Sequence, residues 1–174
     1  MNIQIKKMAV FLLIVICILS VASTVSAFQK PVKYGGTNEK VSHPHFSHST
    51  FTIIRADGTH FFFKAKVATS DQAKAYGLMF VRSIPDNQGM IFPSEPPSPA
   101  IFWMKNTLIP LDILFVRPDG VLSWIKHEAQ PHDESLIYSP GPVSAVIEIN
   151  GGLAKKYGLS AGDRIKSPAI KTQS

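Results

Sequence analysis

Three ionisable side chains sit where charge is costly. Lys105 and Asp112 lie inside residues 101–116, IFWMKNTLIPLDILFV, and Glu148 lies among Val146, Ile147 and Ile149. A charged group stripped of water must be paired or neutralised. Lys105, Asp112 and Glu148, with Arg82, are therefore expected to meet in one polar cluster at the mouth of a barrel. Trp103 and Asn106 stand beside them as further ligand-binding candidates. The same groups would also serve as an ion network that fixes strand register. A carboxyl in the company of Glu148 should either pair or take a raised pKa.

Other chemistries draw on the same residues. Asp112 and Glu148 are the carboxylate pair that would act as acid and base in a hydrolase. Met79, Met90 and Met104 carry thioethers, which favour Cu(I), and they equally suit plain core packing. Trp103, Phe102 and Trp124 would stack on sugar rings if exposed, or fill a core if not. His132, Asp133 and Glu134 form a polar loop triplet that could receive a cation. No Gly-x-Ser-x-Gly elbow is present, so serine hydrolase chemistry has no anchor. No motif asks for a cofactor.

The elements that must position these residues are legible from alternation and turn chemistry. Residues 50–55 read as a strand, Asp57-Gly58 as a hairpin turn and residues 60–68 as the return strand. Thr69 or Ser70 caps a short helix through Tyr76, and Gly77 stops it. Residues 89–92 form a short strand. Residues 93–99, with Pro93, Pro96, Pro97 and Pro99, are expected to be an irregular loop. Residues 100–105 are extended and 106–110 turn. Residues 111–117 form a strand covered on both faces, and Pro118-Asp119-Gly120 turns the chain into a strand over 121–127. Residues 128–142 read as a long polar loop, 143–150 as a strand, and 151–157 as a short helix closed by Gly158. Ala161-Gly162-Asp163 turns into a last strand over 164–167. The expectation is a mainly β, α+β fold. It is a small, partly closed antiparallel β-barrel of about seven strands with two short peripheral helices.

The ends of the chain carry address information. Lys6 and Lys7 precede an apolar run over residues 8–21, and Val25-Ser26-Ala27 offers small residues at a cleavage site. This is the layout of a signal peptide over residues 1–27. Uncleaved, it would be a membrane anchor, although the run is short of the ~20 residues that span a bilayer. Residues 28–49 read as a flexible linker rich in histidine, proline and glycine, with His43, His45 and His48 near its end. Residues 50–168 make a single β-rich domain, and 169–174 a disordered tail. Cys17 is the single cysteine and lies in the apolar run, so the remainder of the chain has no disulfide or thiolate chemistry. The formal charge is +6, falling by two if Lys6 and Lys7 are removed. Basic residues are scattered along the chain without interleaved aromatics, which argues against nucleic acid and allows a weak attraction to anionic envelope surfaces.

Several motifs occur together. They are Tyr76-Gly77-Leu78-Met79, Arg82, Gly89-Met90-Ile91-Phe92, Phe102-Trp103-Met104-Lys105-Asn106-Thr107, Ile109-Pro110-Leu111-Asp112, Ile147-Glu148 and Gly162-Asp163. In order and spacing they resemble the domain of unknown function 192 family across residues 51–167. Members more often read Gly-Leu-Met-x-Arg, and here Val81 moves Arg82 by one position. The resemblance implies a small, compact β-rich domain, often secreted or membrane-attached, with no established activity. The reading that follows is an exported periplasmic or secreted protein, a non-catalytic binding or accessory module of the cell envelope. Its partner would be a small molecule, an envelope polymer or an envelope protein. Membrane contact is expected only through the N-terminal segment, if that is uncleaved.

Overall fold

In a computed structural model of the chain, residues 43–173 are described. The expected signal peptide, and the linker up to residue 42, lie outside them.

The first hairpin forms where the turn chemistry places it. β1 (Ser47–Ile54) pairs antiparallel with β2 (His60–Val67). Between them Gly58 adopts φ +82°, a value that costs a side-chain-bearing residue strain. β1 begins inside the stretch read as linker. Pro44 just before it is buried, and His43 Nδ1 lies 3.0 Å from the Tyr76 hydroxyl. α1 (Asp71–Tyr76) starts where Ser70 Oγ accepts the Ala73 N–H at 3.1 Å, and ends at Gly77, whose φ is +50°. Both ends thus follow the side-chain cap and the glycine stop.

β3 (Gln88–Ser98) lies parallel to β2, because the connection is a crossover carrying α1 instead of a tight turn. It is the one departure from antiparallel pairing in the sheet. The proline-rich stretch expected as an irregular loop continues β3: Pro93 pairs with Ala145 and Ser98 with Val143, with a register slip between. Proline has no N–H to donate, so the ladder breaks within the strand without ending it. β4 (Ile101–Phe102) leaves this sheet and pairs with β7 (Ile137–Tyr138), a short strand inside the expected polar loop. β5 (Leu111–Val116) is buried at every position, as its unbroken apolar run predicts. β6 (Leu122–Ala129) pairs with it through two register shifts. β8 (Val143–Asn150), α2 (Leu153–Lys156) and β9 (Arg164–Lys166) complete the chain.

The large sheet runs β6-β5-β8-β3-β2-β1-β9 and curls into a half-barrel. Its two ends return to each other. Val121 bridges Arg164, and the Ile165 N–H donates to the Gly120 carbonyl at 2.8 Å. Among the described residues the architecture is mainly β with two short helices, the partly closed barrel that the pattern predicts.

Alternation divides the core in two. Phe51, Ile53, Phe63, Ile91, Leu114, Ile147 and Ile165 fill the concave side. Met90, Phe92, Ile113, Phe115 and Val146 form an outer layer, roofed by Ala73 of α1 and by Leu78 and Met104 from the following loops. Residues 169–173 differ from the disordered tail expected of them. Ile170 is buried in the concave core, and the Gln173 N–H donates to the Pro118 carbonyl at 2.8 Å. The apolar side chain finds the closing seam of the barrel to pack against.

Candidate functional site

Asp112 and Glu148 lie on adjacent strands, yet they do not meet. In the β5–β8 register Asp112 stands opposite Ile149, and Ile113 stands opposite Glu148. Residues opposite one another share a face and successive residues alternate. Asp112 therefore points with Ile149 and Leu114 toward the concave core, and Glu148 points with Ile113 and Met90 into the outer layer. The sheet separates the two carboxyls, so they do not flank a common substrate as acid and base.

Each carboxyl solves its burial differently. Asp112 is fully buried, and its two oxygens accept backbone N–H groups: Glu128 at 2.8 Å and Ala154 at 2.7 Å. It thus ties the end of β6 to the first turn of α2. Glu148 is sealed among apolar side chains, and its Oε2 has no hydrogen-bond partner among the described residues. Burial pushes its pKa from 4.5 up to about 8, so it is neutral at pH 7. Asp163 resembles Asp112: it is buried and accepts the N–H groups of Ser160 at 2.8 Å and Ala56 at 3.2 Å, joining two turns.

Lys105 and Arg82 stand apart from both acids. Lys105 Nζ lies 3.7 Å from Glu134 and 5.1 Å from the Trp103 ring centroid, at the surface. Arg82 is exposed, with no ion pair among the described residues. The polar cluster expected at the barrel mouth is therefore not assembled by the fold. The reason is register: which of Asp112 and Glu148 faces which side depends on how β5 and β8 align. The family motifs do converge elsewhere. Met79 bridges Thr107, the Phe80 N–H donates to the Asn106 carbonyl at 2.9 Å, and Asn106 Nδ2 lies 3.8 Å from Met79 Sδ. Phe80 and Asn106 both take positive φ, +63° and +56°, where the two loops lock together. Met90 and Met104 are sealed in the outer layer, filling gaps against its aromatics. Glu134 of the loop triplet is engaged with Lys105, and Asp133 Oδ1 accepts the Ser135 N–H at 2.9 Å.

What the surface does present is an apolar ribbon. Ile101 stands opposite Tyr138, and Phe102 opposite Ile137. Phe102 and Ile137 turn inward onto the outer layer, and Phe102 meets Phe92 and Phe115 edge to face. By alternation Ile101 and Tyr138 face outward, as do Trp103 and Leu136, one step further along each chain. Their exposures agree: 52% for Ile101, 39% for Trp103, 50% for Leu136 and 57% for Tyr138. Trp124 is exposed on one side only, since its ring stacks on Phe115 at 5.3 Å. Of these residues Trp103, Phe102 and Trp124 are candidates from the sequence as stacking aromatics, and Ile101, Leu136, Ile137 and Tyr138 are not. A signal for the last three is their run, Leu136-Ile137-Tyr138, three apolar residues together in a polar loop. Two open grooves also mark the surface. One of about 390 Å³ is lined by His127, Glu128 and Lys155, and one of about 490 Å³ by His48, Thr50, Lys64 and Lys66.

Comparisons with known proteins agree with the motifs. The chain is similar over 33% identical positions to a protein from Sinorhizobium meliloti 1021 that is provisionally described as a transcription regulator. Its structure matches with a TM-score of 0.71, covering 74% of this chain and 100% of that one. A protein of unknown function from Novosphingobium aromaticivorans DSM 12444 is 37% identical, with a TM-score of 0.66 and coverage of 76% and 99%. No curated protein matches the chain. The family model described as an uncharacterized ACR, domain of unknown function 192, matches residues 52–167. With its motifs joined at the Met79–Thr107 bridge and its length matched across the β-rich unit, the chain belongs to the domain of unknown function 192 family.

Proposed function

We propose that the protein is an exported, non-catalytic binding module of the cell envelope, and that it engages a protein partner through the outward face of the β4–β7 ribbon. The observation that carries this reading is the row of Ile101, Trp103, Leu136 and Tyr138, large apolar side chains left in water on one short ribbon. Contiguous exposed apolar groups mark interaction surfaces, and tryptophan and tyrosine are the residues such surfaces favour. Half of the row is aliphatic, which suits a protein face better than a sugar ring. The ribbon lies directly on the outer layer through Phe102 and Ile137, so it offers a preformed platform. The sheet between Asp112 and Glu148 gives hydrolysis no comparable support.

A photocrosslinking residue placed at Leu136 in the full chain, expressed in its own cell envelope, tests the reading. One discrete protein adduct is expected, absent when the same residue replaces Asp71 on α1, and reduced at least tenfold by Trp103→Ala with Tyr138→Ala. No adduct at Leu136, or one indifferent to both substitutions, overturns it.

A further inference from the structure

The cationic residues that look scattered along the chain are gathered by the fold. In the register of β1 and β2, His48 stands opposite Lys66, Thr50 opposite Lys64, Thr52 opposite Phe62 and Ile54 opposite His60. On the other side of β1, Thr52 stands opposite Lys166 and Ile54 opposite Arg164. These residues share one face. It is the convex face, because the alternate residues Phe51, Ile53, Phe63, Ala65 and Ile165 fill the concave core. Lys64, Lys66, Arg164 and Lys166 are all exposed on it, with the imidazoles of His48 and His60. None of the four cations has an ion-pair partner among the described residues, and no aspartate or glutamate occurs in β1, β2 or β9. At the centre of this field Phe62 projects into water with 71% of its surface exposed, more than any other large apolar residue described.

We propose that this face docks on an anionic phospholipid bilayer, with Lys64, Lys66, Arg164 and Lys166 against the headgroups and the Phe62 ring inserted between them. Charge complementarity supports this occupant. A field of cations without acids is attracted to an anionic leaflet, each lysine or arginine adding to the affinity within a Debye length. An exposed ring among cations, touched only at its edge by the His60 imidazole at 6.2 Å, is the amphipathic arrangement that enters the headgroup boundary. A single-stranded nucleic acid suits the face less well. Such platforms stack successive bases on successive open rings, whereas here the Phe46 ring is partly buried with Lys66 Nζ 5.6 Å from its centroid, leaving Phe62 as the one phenyl ring of this face that stands open to water. The proposal is independent of the ribbon, which lies on β4 and β7 and carries none of these residues.

The experiment uses the protein as isolated from cells that process it normally. It is cosedimented with vesicles of phosphatidylcholine alone and with vesicles containing phosphatidylglycerol. The substitutions on the face separate its binding from any contribution of the N-terminal apolar run and its Lys6 and Lys7. Binding is expected to the phosphatidylglycerol vesicles and to disappear in high salt. Lys64→Gln with Lys66→Gln should weaken it on the order of tenfold or more, and Phe62→Ala should weaken it separately. All three positions are exposed, so unchanged melting temperatures are expected to accompany these losses. Lys166→Gln, on a different strand, provides a second test of the same field. Equal binding to both lipids overturns the proposal, as does insensitivity to all of these substitutions. Tighter binding to a single-stranded oligonucleotide with the same sensitivities would replace it with a nucleic-acid surface.

Discussion

A carboxyl without a partner makes stability depend on pH, and Glu148 is such a group. Its folded-state pKa is about 8, against an ordinary value of 4.5, because burial penalises the charged form. Below pH 4.5 both the native and the unfolded chain hold the proton, and burial carries no ionisation cost. Between the two values the unfolded chain releases the proton and the native chain retains it, so stability falls as pH rises. Above pH 8 both states are ionised and the loss is complete. Glu148→Gln keeps the shape and removes the titration. Its melting temperature should track the native protein near pH 4.5 and exceed it increasingly toward pH 8.5, as the native protein loses stability at about 1.4 kcal/mol per unit of pKa difference between its folded and unfolded states. Parallel thermal profiles for the two proteins would show that the buried carboxyl is already charged in the native state. The oddity of Glu148 was visible from its apolar neighbours. The separate fates of Glu148 and Asp112 were not, because parity within one strand says nothing about parity in another until register joins them.

Elements are held by carboxylates that address backbone. Asp112 is a residue of β5, but its hydrogen bonds serve β6 and α2. An asparagine there keeps one acceptor oxygen and turns an NH₂ group toward a backbone N–H. Asp112→Asn should therefore destabilise the protein by about 2–3 kcal/mol, read as a lower denaturation midpoint. Crosslinking through the ribbon should persist below that midpoint. A variant of native stability that lost the crosslink would assign Asp112 to a site instead. The same scale explains which elements were legible. The β1–β2 hairpin and α1 depend on Asp57-Gly58, Ser70 and Gly77, whose preferences are local. The parallel β2–β3 pair, the run of β3 past Pro93 and the pairing of β7 with β4 depend on partners far along the chain, and composition misled where proline and polar residues suggested loops. Gly89 shows how close such partners come. A Cβ there would lie 2.5 Å from the Glu148 carbonyl oxygen, so the β3–β8 contact admits no side chain.

The whole molecule presents two unlike surfaces, an apolar ribbon on β4 and β7 and a cationic field on β9, β1 and β2. The roles proposed for these two surfaces, one held on a bilayer and one reading a partner, require the chain to reach the envelope. Alkaline phosphatase fused after Ser174 reports this directly, because the enzyme becomes active only in an oxidising compartment. The fusion should be active with residues 1–27 present and inactive without them. Equal activity in both cases would remove export from the reading.

The seam between the barrel's ends also sets an order of events in synthesis. Thr52 near the start of the folded unit pairs with Lys166 near its finish, and Val121 waits for Arg164. Contacts so distant in sequence form late. Until residues 164–166 are in place, the first hairpin has an open flank. Removing residues 164–166 should therefore leave the β1 edge of the sheet unpaired and open to pairing with another chain.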